Sequence, residues 1–276
     1  MLRIRIALVL VLTVWMVNAQ SITILIDPGH GGSDPGHESV NKNHLPEKDL
    51  NLLIAKKELQ KKWLMQNLLT GKKRLNGFED KWIEYQVSQL FQTIDRYVKW
   101  DDDEKYNLVS VRRRNGGMFF REPLYGNKIE VKKLKEINRG DFLISKRQVS
   151  HGAWAIVTEE FENGKVSDEY DCLAFQGKDK VSSNFWKWYC QLAILTHYAY
   201  VDSNGVHIEK SIFDYNQFKR RIVNVPATLP EQTAIAQVLQ AADREIQLLK
   251  TKTEKLREQK KGMMQVLLTG KKRLKI

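Results

Sequence analysis

Residues 60–75 of this chain read QKKWLMQNLLTGKKRL, and residues 259–274 read QKKGMMQVLLTGKKRL. Thirteen of the sixteen positions are identical, at a spacing of 199 residues. Solenoid repeats recur about every 20–50 residues, so this repeat does not announce a stack of small units. It brackets one domain-sized segment between two copies of the same helix end. Leu64 and Leu68 lie four apart on one helical face, as do their counterparts Met263 and Leu267. Thr-Gly follows in both copies, and glycine there is the usual left-handed stop to a helix. The Lys-Lys-Arg run beyond it complements the negative helix end.

With 276 residues the chain has room for one or two domains and an ordinary core. An apolar fraction of 42% and only six prolines argue against wholesale disorder. The net charge of +12 is unevenly placed. Residues 1–56 balance Arg3, Arg5, Lys42, Lys48 and Lys56 against Asp27, Asp34, Glu38, Glu47 and Asp49, so residues 57–276 carry the whole excess. That asymmetry points to a polyanionic partner. The plainer alternative is a basic, well-solvated surface. Cys172 and Cys190 have no metal-ligand spacing and are too few for a disulfide framework; they are expected as buried, reduced thiols.

Residues 1–19 have the layout of a signal peptide. Arg3 and Arg5 precede a twelve-residue apolar run over 6–17, and Val17-Asn18-Ala19 offers a small-residue cleavage site before Gln20. The run is short for a membrane span. A strand-like stretch over 22–26 then ends in Asp27-Pro28-Gly29-His30-Gly31-Gly32, and Glu47-Lys48-Asp49 opens an amphipathic helix. His30 and Glu47 are chemically suited to bind zinc. This stretch, about residues 21–56, resembles the beginning of the zinc-dependent N-acetylmuramoyl-L-alanine amidases, in which DPGHGG is followed by an EKD-type helix. The resemblance implies that His30 and Glu47 descend from metal ligands. It also implies a further histidine ligand and a late catalytic glutamate. His37, His44, His151, His197 and His207 have no matching context. Two ligands do not hold a catalytic zinc, which takes three and an open position. Residues 20–56 therefore read as a truncated remnant without activity.

After the helix end at residues 57–78, residues 79–227 read as one α+β domain. The pattern predicts a strand near 106–112 and a basic turn through Arg112, Arg113, Arg114, Asn115, Gly116 and Gly117. A second strand follows the turn at Gly140-Asp141, a third covers 149–157, a loop covers 166–170 and a helix covers 186–200. Trp154, Trp186, Trp188 and Tyr189 are assigned to the core. Pro226 and Pro230 close the domain, and Pro230 suits the first turn of a long helix over 228–276. Along it Ile235, Leu239, Ala242, Ile246, Leu249, Leu256, Met263 and Leu267 alternate by fours and threes, with Thr253 and Lys260 at two polar positions. Such spacing indicates a coiled-coil seam. A helix packed on its own domain would show a wider stripe.

Four groups of residues carry a second resemblance: GDFLISKRQVSHGA at 140–153, VSDEY at 166–170, LPEQTAIA at 229–236, and both LLTGKKRL cassettes. Together they resemble the specificity subunit of type I restriction–modification enzymes, over about residues 57–276. That resemblance implies two target-recognition domains alternating with two helical regions that pair antiparallel as a ruler. Each domain then reads half of a bipartite site in double-stranded DNA. It places methylation and cleavage on separate methyltransferase and restriction subunits, which carry S-adenosylmethionine, ATP and magnesium. This chain shows one recognition domain, one complete helix and the tail of another, and so reads as a half-subunit with no cofactor of its own. Two copies pairing through Leu239, Ile246, Leu249, Leu256, Met263 and Leu267 would rebuild the two-domain arrangement and read an inverted repeat.

Within that reading, Lys146, Arg147, Gln148, Ser150 and His151 form a polar run able to reach base edges, since arginine pairs two-pronged with guanine and glutamine with adenine. Arg112, Arg113 and Arg114, beside two glycines, suit the phosphate backbone. The alternative is a solvated strand edge and a basic surface turn. Gly71-Lys72 and Gly270-Lys271 lack the earlier glycine and the following Ser or Thr of a phosphate loop. Binding and scaffolding are expected rather than turnover. The competing readings are a secreted zinc amidase and an inactive fusion. The signal-like head argues for export, whereas a specificity subunit works in the cytoplasm; translation from Met65 would omit the head.

Overall fold

The computed structural model describes residues 47–176, 179–205 and 211–270. The signal-like segment, the turn with His30 and the final Lys-Lys-Arg run lie outside the described residues. What is described divides into two units, one of residues 47–56 with 251–270 and one within residues 57–250. The helices are α1 (Glu47–Leu68), α2 (Val87–Leu90), α3 (Ser183–Tyr189), α4 (Ala193–Val201), α5 (Tyr215–Phe218) and α6 (Leu229–Leu268). Among the described residues no helix is long and apolar enough to cross a membrane.

Local chemistry explains the ends of the two long helices. Glu47 and Asp49 sit in the first turn of α1, where carboxylates favour the positive helix end. Pro230 sits in the first turn of α6, where its missing N–H removes no helical bond. Both helices stop at the repeated Thr-Gly. The Thr70 hydroxyl donates to the Gln66 carbonyl at 2.5 Å, and Thr269 does the same to Gln265 at 2.5 Å. Gly71 and Gly270 follow at φ 69° and 68°. The left-handed turn is one that L side chains resist. Helix α1 runs unbroken past residue 56, so the border expected there falls inside a helix.

The unit within residues 57–250 is built on a four-stranded antiparallel sheet. Its spatial order is Phe91–Thr93, Tyr170–Phe175, Phe142–Ser145, Trp154–Ile156. Leu173 faces Phe142, Cys172 faces Leu143, and Ile144 faces Trp154 across the ladder. Alternation sends Phe91, Phe142, Ile144, Trp154 and Leu173 to one core, and Leu143, Ala153 and Cys172 to another. Both faces are buried, which is why FLI reads as a continuous apolar run. Trp186 from α3 closes the larger core, its ring 4.7 Å from Phe91 and 5.9 Å from Phe142. Trp154, Trp186, Trp188, Tyr189 and both cysteines are buried.

Four local expectations change. The strand near 106–112 is two short ones: Lys105–Tyr106 pairs with Leu124–Tyr125, and Val109–Val111 pairs with Met118–Phe120. Residues 149–157 are not one strand: Val149–His151 is a 3-10 turn, capped by Gly152 at φ 73°, and only Trp154–Ile156 pairs. Residues 166–170 are not a loop; Lys165–Ser167 pairs with Leu134–Glu136, and Tyr170 already belongs to the central sheet. The helix over 186–200 is two helices, α3 and α4, separated at residues 190–192.

Strand Ile83–Gln86 pairs antiparallel with Ile222–Val225, which pins the two ends of the domain together. Helices α1 and α6 therefore leave from one place and run alongside in opposite directions. Lys57 pairs with Glu245 at 2.8 Å, Lys250 with Glu58 at 2.7 Å, and Lys61 with Asp243. Each such partly exposed bridge contributes about 0.2–1 kcal/mol, so the bridges set direction more than strength. Leu239 lies in one core with Leu64 and Leu68, and Ile246 is also buried. This corrects the expectation that these two residues face a second copy. A seam period reports that a stripe is buried, not which chain buries it. Leu249 and Leu256 are half-buried, whereas Met263 and Leu267 are exposed.

Candidate nucleic-acid interface

The two basic clusters, 34 residues apart from Arg112 to Lys146 in the sequence, meet in space. Strands Val109–Val111 and Met118–Phe120 form a hairpin whose tip is residues 112–117. Arg114 and Asn115 adopt left-handed backbone at φ 56° and 54°, which turns their N–H groups toward the loop that follows strand Phe142–Ser145. The Arg114 N–H donates to the His151 carbonyl at 2.7 Å, and the Asn115 N–H donates to the Gly152 carbonyl at 2.9 Å. The Trp154 indole N–H donates to Asn115 Oδ1 at 2.9 Å, anchoring the tip to the core. Arg113 Nε donates to Gln148 Oε1 across the junction. Two loops thus become one surface.

The candidate residues differ in what they leave free. Arg113 and Arg114 are exposed, and the Arg114 side chain has no polar partner among the described residues. Arg112 is exposed too, but it is held at its own hairpin, with Nη1 donating to the Met118 carbonyl at 2.9 Å and its guanidinium over Phe119 at 4.3 Å. Gln148 gives its oxygen to Arg113, so it has only its NH2 to offer; a two-pronged pairing with adenine needs both groups. The Arg113–Gln148 pair is a surface of donors, suited to guanine O6 and N7 or to phosphate oxygens. Ser150 and His151 are half-buried at the same edge.

Lys146 and Arg147 are engaged by the VSDEY turn. Lys146 Nζ donates to the Asp168 carbonyl at 2.7 Å and lies 3.7 Å from Asp171 Oδ1. Arg147 Nε donates to Glu169 Oε1 at 2.7 Å. Burial pushes the Asp171 carboxyl above its ordinary range, and Lys146 and Lys135 draw it partly back. The SKRQVSHGA and VSDEY motifs are therefore one structural joint, and carboxylates cancel much of the charge on Lys146 and Arg147.

The residues that sequence reasoning missed lie at the root of α6. Glu231 is 1% exposed and accepts from Arg74 Nε at 2.6 Å, from Arg74 Nη2 at 2.7 Å, and from the Trp82 indole at 3.2 Å. Gln232, also buried, accepts from the Ser182 N–H at 2.7 Å and donates to the carbonyls of Lys180 and Pro226. Glutamate and glutamine inside the helical motif LPEQ carried the signal, since polar residues on a buried helix face need partners.

Glu47, assigned as a former zinc ligand, is buried and accepts from Arg257 Nε at 2.8 Å. Its assigned companion His30 lies outside the described residues. Among the described residues no three His, Cys, Asp or Glu side chains cluster to hold a metal. The described residues do not fit a zinc centre.

Residues 24–89 match the family model of N-acetylmuramoyl-L-alanine amidase, a minority of the chain that reaches through α1 to the strand Ile83–Gln86. In fold, the chain is similar to the HsdS subunit from Thermoanaerobacter tengcongensis, with a TM-score of 0.49 and 14% identity over 79% of this chain and 53% of that one. It is similar to the type I restriction-modification S subunit from M. genitalium, with a TM-score of 0.49 and 11% identity over 79% and 55%. A third likeness is to a structure described for complex assembly and conformational transition of the type I R-M system, at 0.46 and 16% over 79% and 53%. The chain spans about half the length of the solved structures it matches.

Proposed function

We propose that this chain is a DNA-recognition half-subunit of a type I restriction–modification system. It binds double-stranded DNA and holds methyltransferase and restriction subunits at a site, with no catalytic step of its own. The observation that carries the reading is the junction of the two loops, which places Arg113, Arg114, Gln148, Ser150 and His151 on one donor-rich surface. A recognition surface needs contacts to phosphate for register and contacts to base edges for sequence. Exposed Arg114 suits the first role, and the Arg113–Gln148 pair suits the second. S-adenosylmethionine, ATP and magnesium belong to the partner subunits in this reading. The working compartment is the one that holds the DNA.

A half-subunit reads one half-site, so a bipartite target calls for a second copy. Leu239 and Ile246 are buried inside the chain. The free part of the seam is its far end, around Met263 and Leu267.

The test is selection from random duplex DNA, using the full chain with a type I methyltransferase subunit at fixed salt. Recovery of a spaced inverted repeat, lost with Arg113→Ala and Arg114→Ala together, is the expected result. Sequence-blind binding that fades with salt would mark an inactive fusion and end the specificity reading.

A further inference from the structure

The two cassettes share thirteen of sixteen residues and the same helix stop but have opposite surroundings. In the first, Leu64, Leu68 and Leu69 are 9%, 4% and 0% exposed, packed in one core with Val87, Leu90 and Ile235. In the second, their counterparts Met263, Leu267 and Leu268 are 52%, 40% and 81% exposed. Three apolar side chains open to water in the last two turns of a helix are costly to leave so.

The first cassette shows what surface such a sequence fits. Its apolar face fills the large core of the recognition domain, and Arg74 beyond its Thr-Gly stop locks onto buried Glu231. The second cassette carries the same Leu-Leu-Thr-Gly-Lys-Lys-Arg-Leu, with Arg273 as the sequence counterpart of Arg74. The threonine and glycine that shape the stop already have matching geometry in both copies. We infer that the second cassette is a docking element for a second copy of this chain. It enters the site on that copy's recognition domain that the first cassette otherwise fills.

The two cassettes then compete for one site. The first has the advantage of being tethered in the same chain, which raises its effective concentration. A product begun at Met65 lacks Leu64 and the helix before it, which weakens the resident cassette and favours the incoming one. Exchange of an identical element between copies is a low-cost route to a dimer. This inference stands on the repeat and its two environments, and it does not depend on the DNA-recognition reading.

The test uses the full chain. A Val266→Cys variant, labelled with a benzophenone, is mixed with isotope-labelled unmodified chain, irradiated and mapped by mass spectrometry. Both native cysteines are buried, so the label goes to the new thiol. Cross-links from the labelled cassette to the Trp82–Leu90 region or the 229–239 region of the other isotope are expected. Cross-links to the other copy's terminal cassette, or within one copy only, overturn the inference. Sedimentation gives the second arm. Leu267→Asp with Leu268→Asp, both at exposed positions, should weaken self-association at least tenfold and leave thermal unfolding unchanged. Unaltered association overturns the inference, as does a concentration-independent monomer.

Discussion

Arg74 and Glu231, 157 residues apart in sequence, form a two-pronged ion pair at the root of the long helix. The carboxylate is buried, and its Nε and Nη2 donors come from one planar fork, an arrangement that lysine cannot reproduce. Arg74 lies at the end of one cassette and Glu231 in the first turn of α6, so the pair ties the segment after α1 to the start of the long helix. The Trp82 indole adds a third donor, with the Arg74 guanidinium 5.9 Å from its ring.

Arg74→Ala leaves the Glu231 charge buried with only the indole as donor. The expected loss is about 3–5 kcal/mol, the range for breaking a buried pair by removing one partner. Arg74→Lys should fall between the wild type and Arg74→Ala. Urea unfolding midpoints read both, and an unchanged midpoint for Arg74→Ala would contradict the joint.

Arg114 and Arg147 look alike in sequence but differ in company, and salt dependence separates them. Arg114→Ala should leave stability within about 0.5 kcal/mol. It should lower the slope of log K against log salt by about 0.9, one phosphate contact. Arg147→Ala should change the slope less, because Glu169 already holds its guanidinium. Fluorescence anisotropy with labelled duplex across a potassium chloride series measures both; equal slopes for the two variants would refute the distinction.

The junction of the loops rests on Asn115. Asn115→Gly keeps the left-handed backbone but strands the buried Trp154 N–H, at a cost of about 1–3 kcal/mol. Asn115→Ala adds about 1–2 kcal/mol of backbone strain. Thermal unfolding should rank wild type above the glycine variant, and the glycine variant above the alanine one. DNA binding should weaken in the same order, since the tip carries Arg113 and Arg114.

Burial pushes the Cys172 and Cys190 thiols up to about 12, and the Tyr189 and Tyr215 hydroxyls up to about 12. In the unfolded chain these groups ionise near their ordinary values, so above about pH 9 the folded state binds more protons than the unfolded one. The stability they contribute is fully present below the unfolded values and is lost as pH rises toward 12. The loss per thiol is about 1.4 kcal/mol per pH unit through that window. Iodoacetamide at pH 8 should leave both thiols unmodified in the native protein and label both in urea. Chemical denaturation at pH 8 and pH 10.5 should show the alkaline loss; equal stability at the two values would rule it out.

Much of the chain could be read from local pattern. The repeat, its Thr-Gly stop, the start of α1 at Glu47, the start of α6 beside Pro230 and the burial of both cysteines follow from residues within a turn or two of one another. Cap chemistry and apolar periodicity act over such distances, so they survive in a one-dimensional text. Elements of three or four residues fared worse. The strand Lys165–Ser167 was hidden in a polar stretch, because what makes it a strand is its partner Leu134–Glu136.

The candidate site divides along the same line. The sequence by itself determined which side chains were available: two basic clusters, a seam and a duplicated cassette. Only the tertiary structure decided their roles. It joined Arg113 to Gln148, cancelled Arg147 with Glu169, turned Leu239 inward, and buried one cassette while leaving its twin exposed. Charge and burial are sums over neighbours in space. For cassettes 199 residues apart that share thirteen of sixteen residues, those neighbours are what differs most.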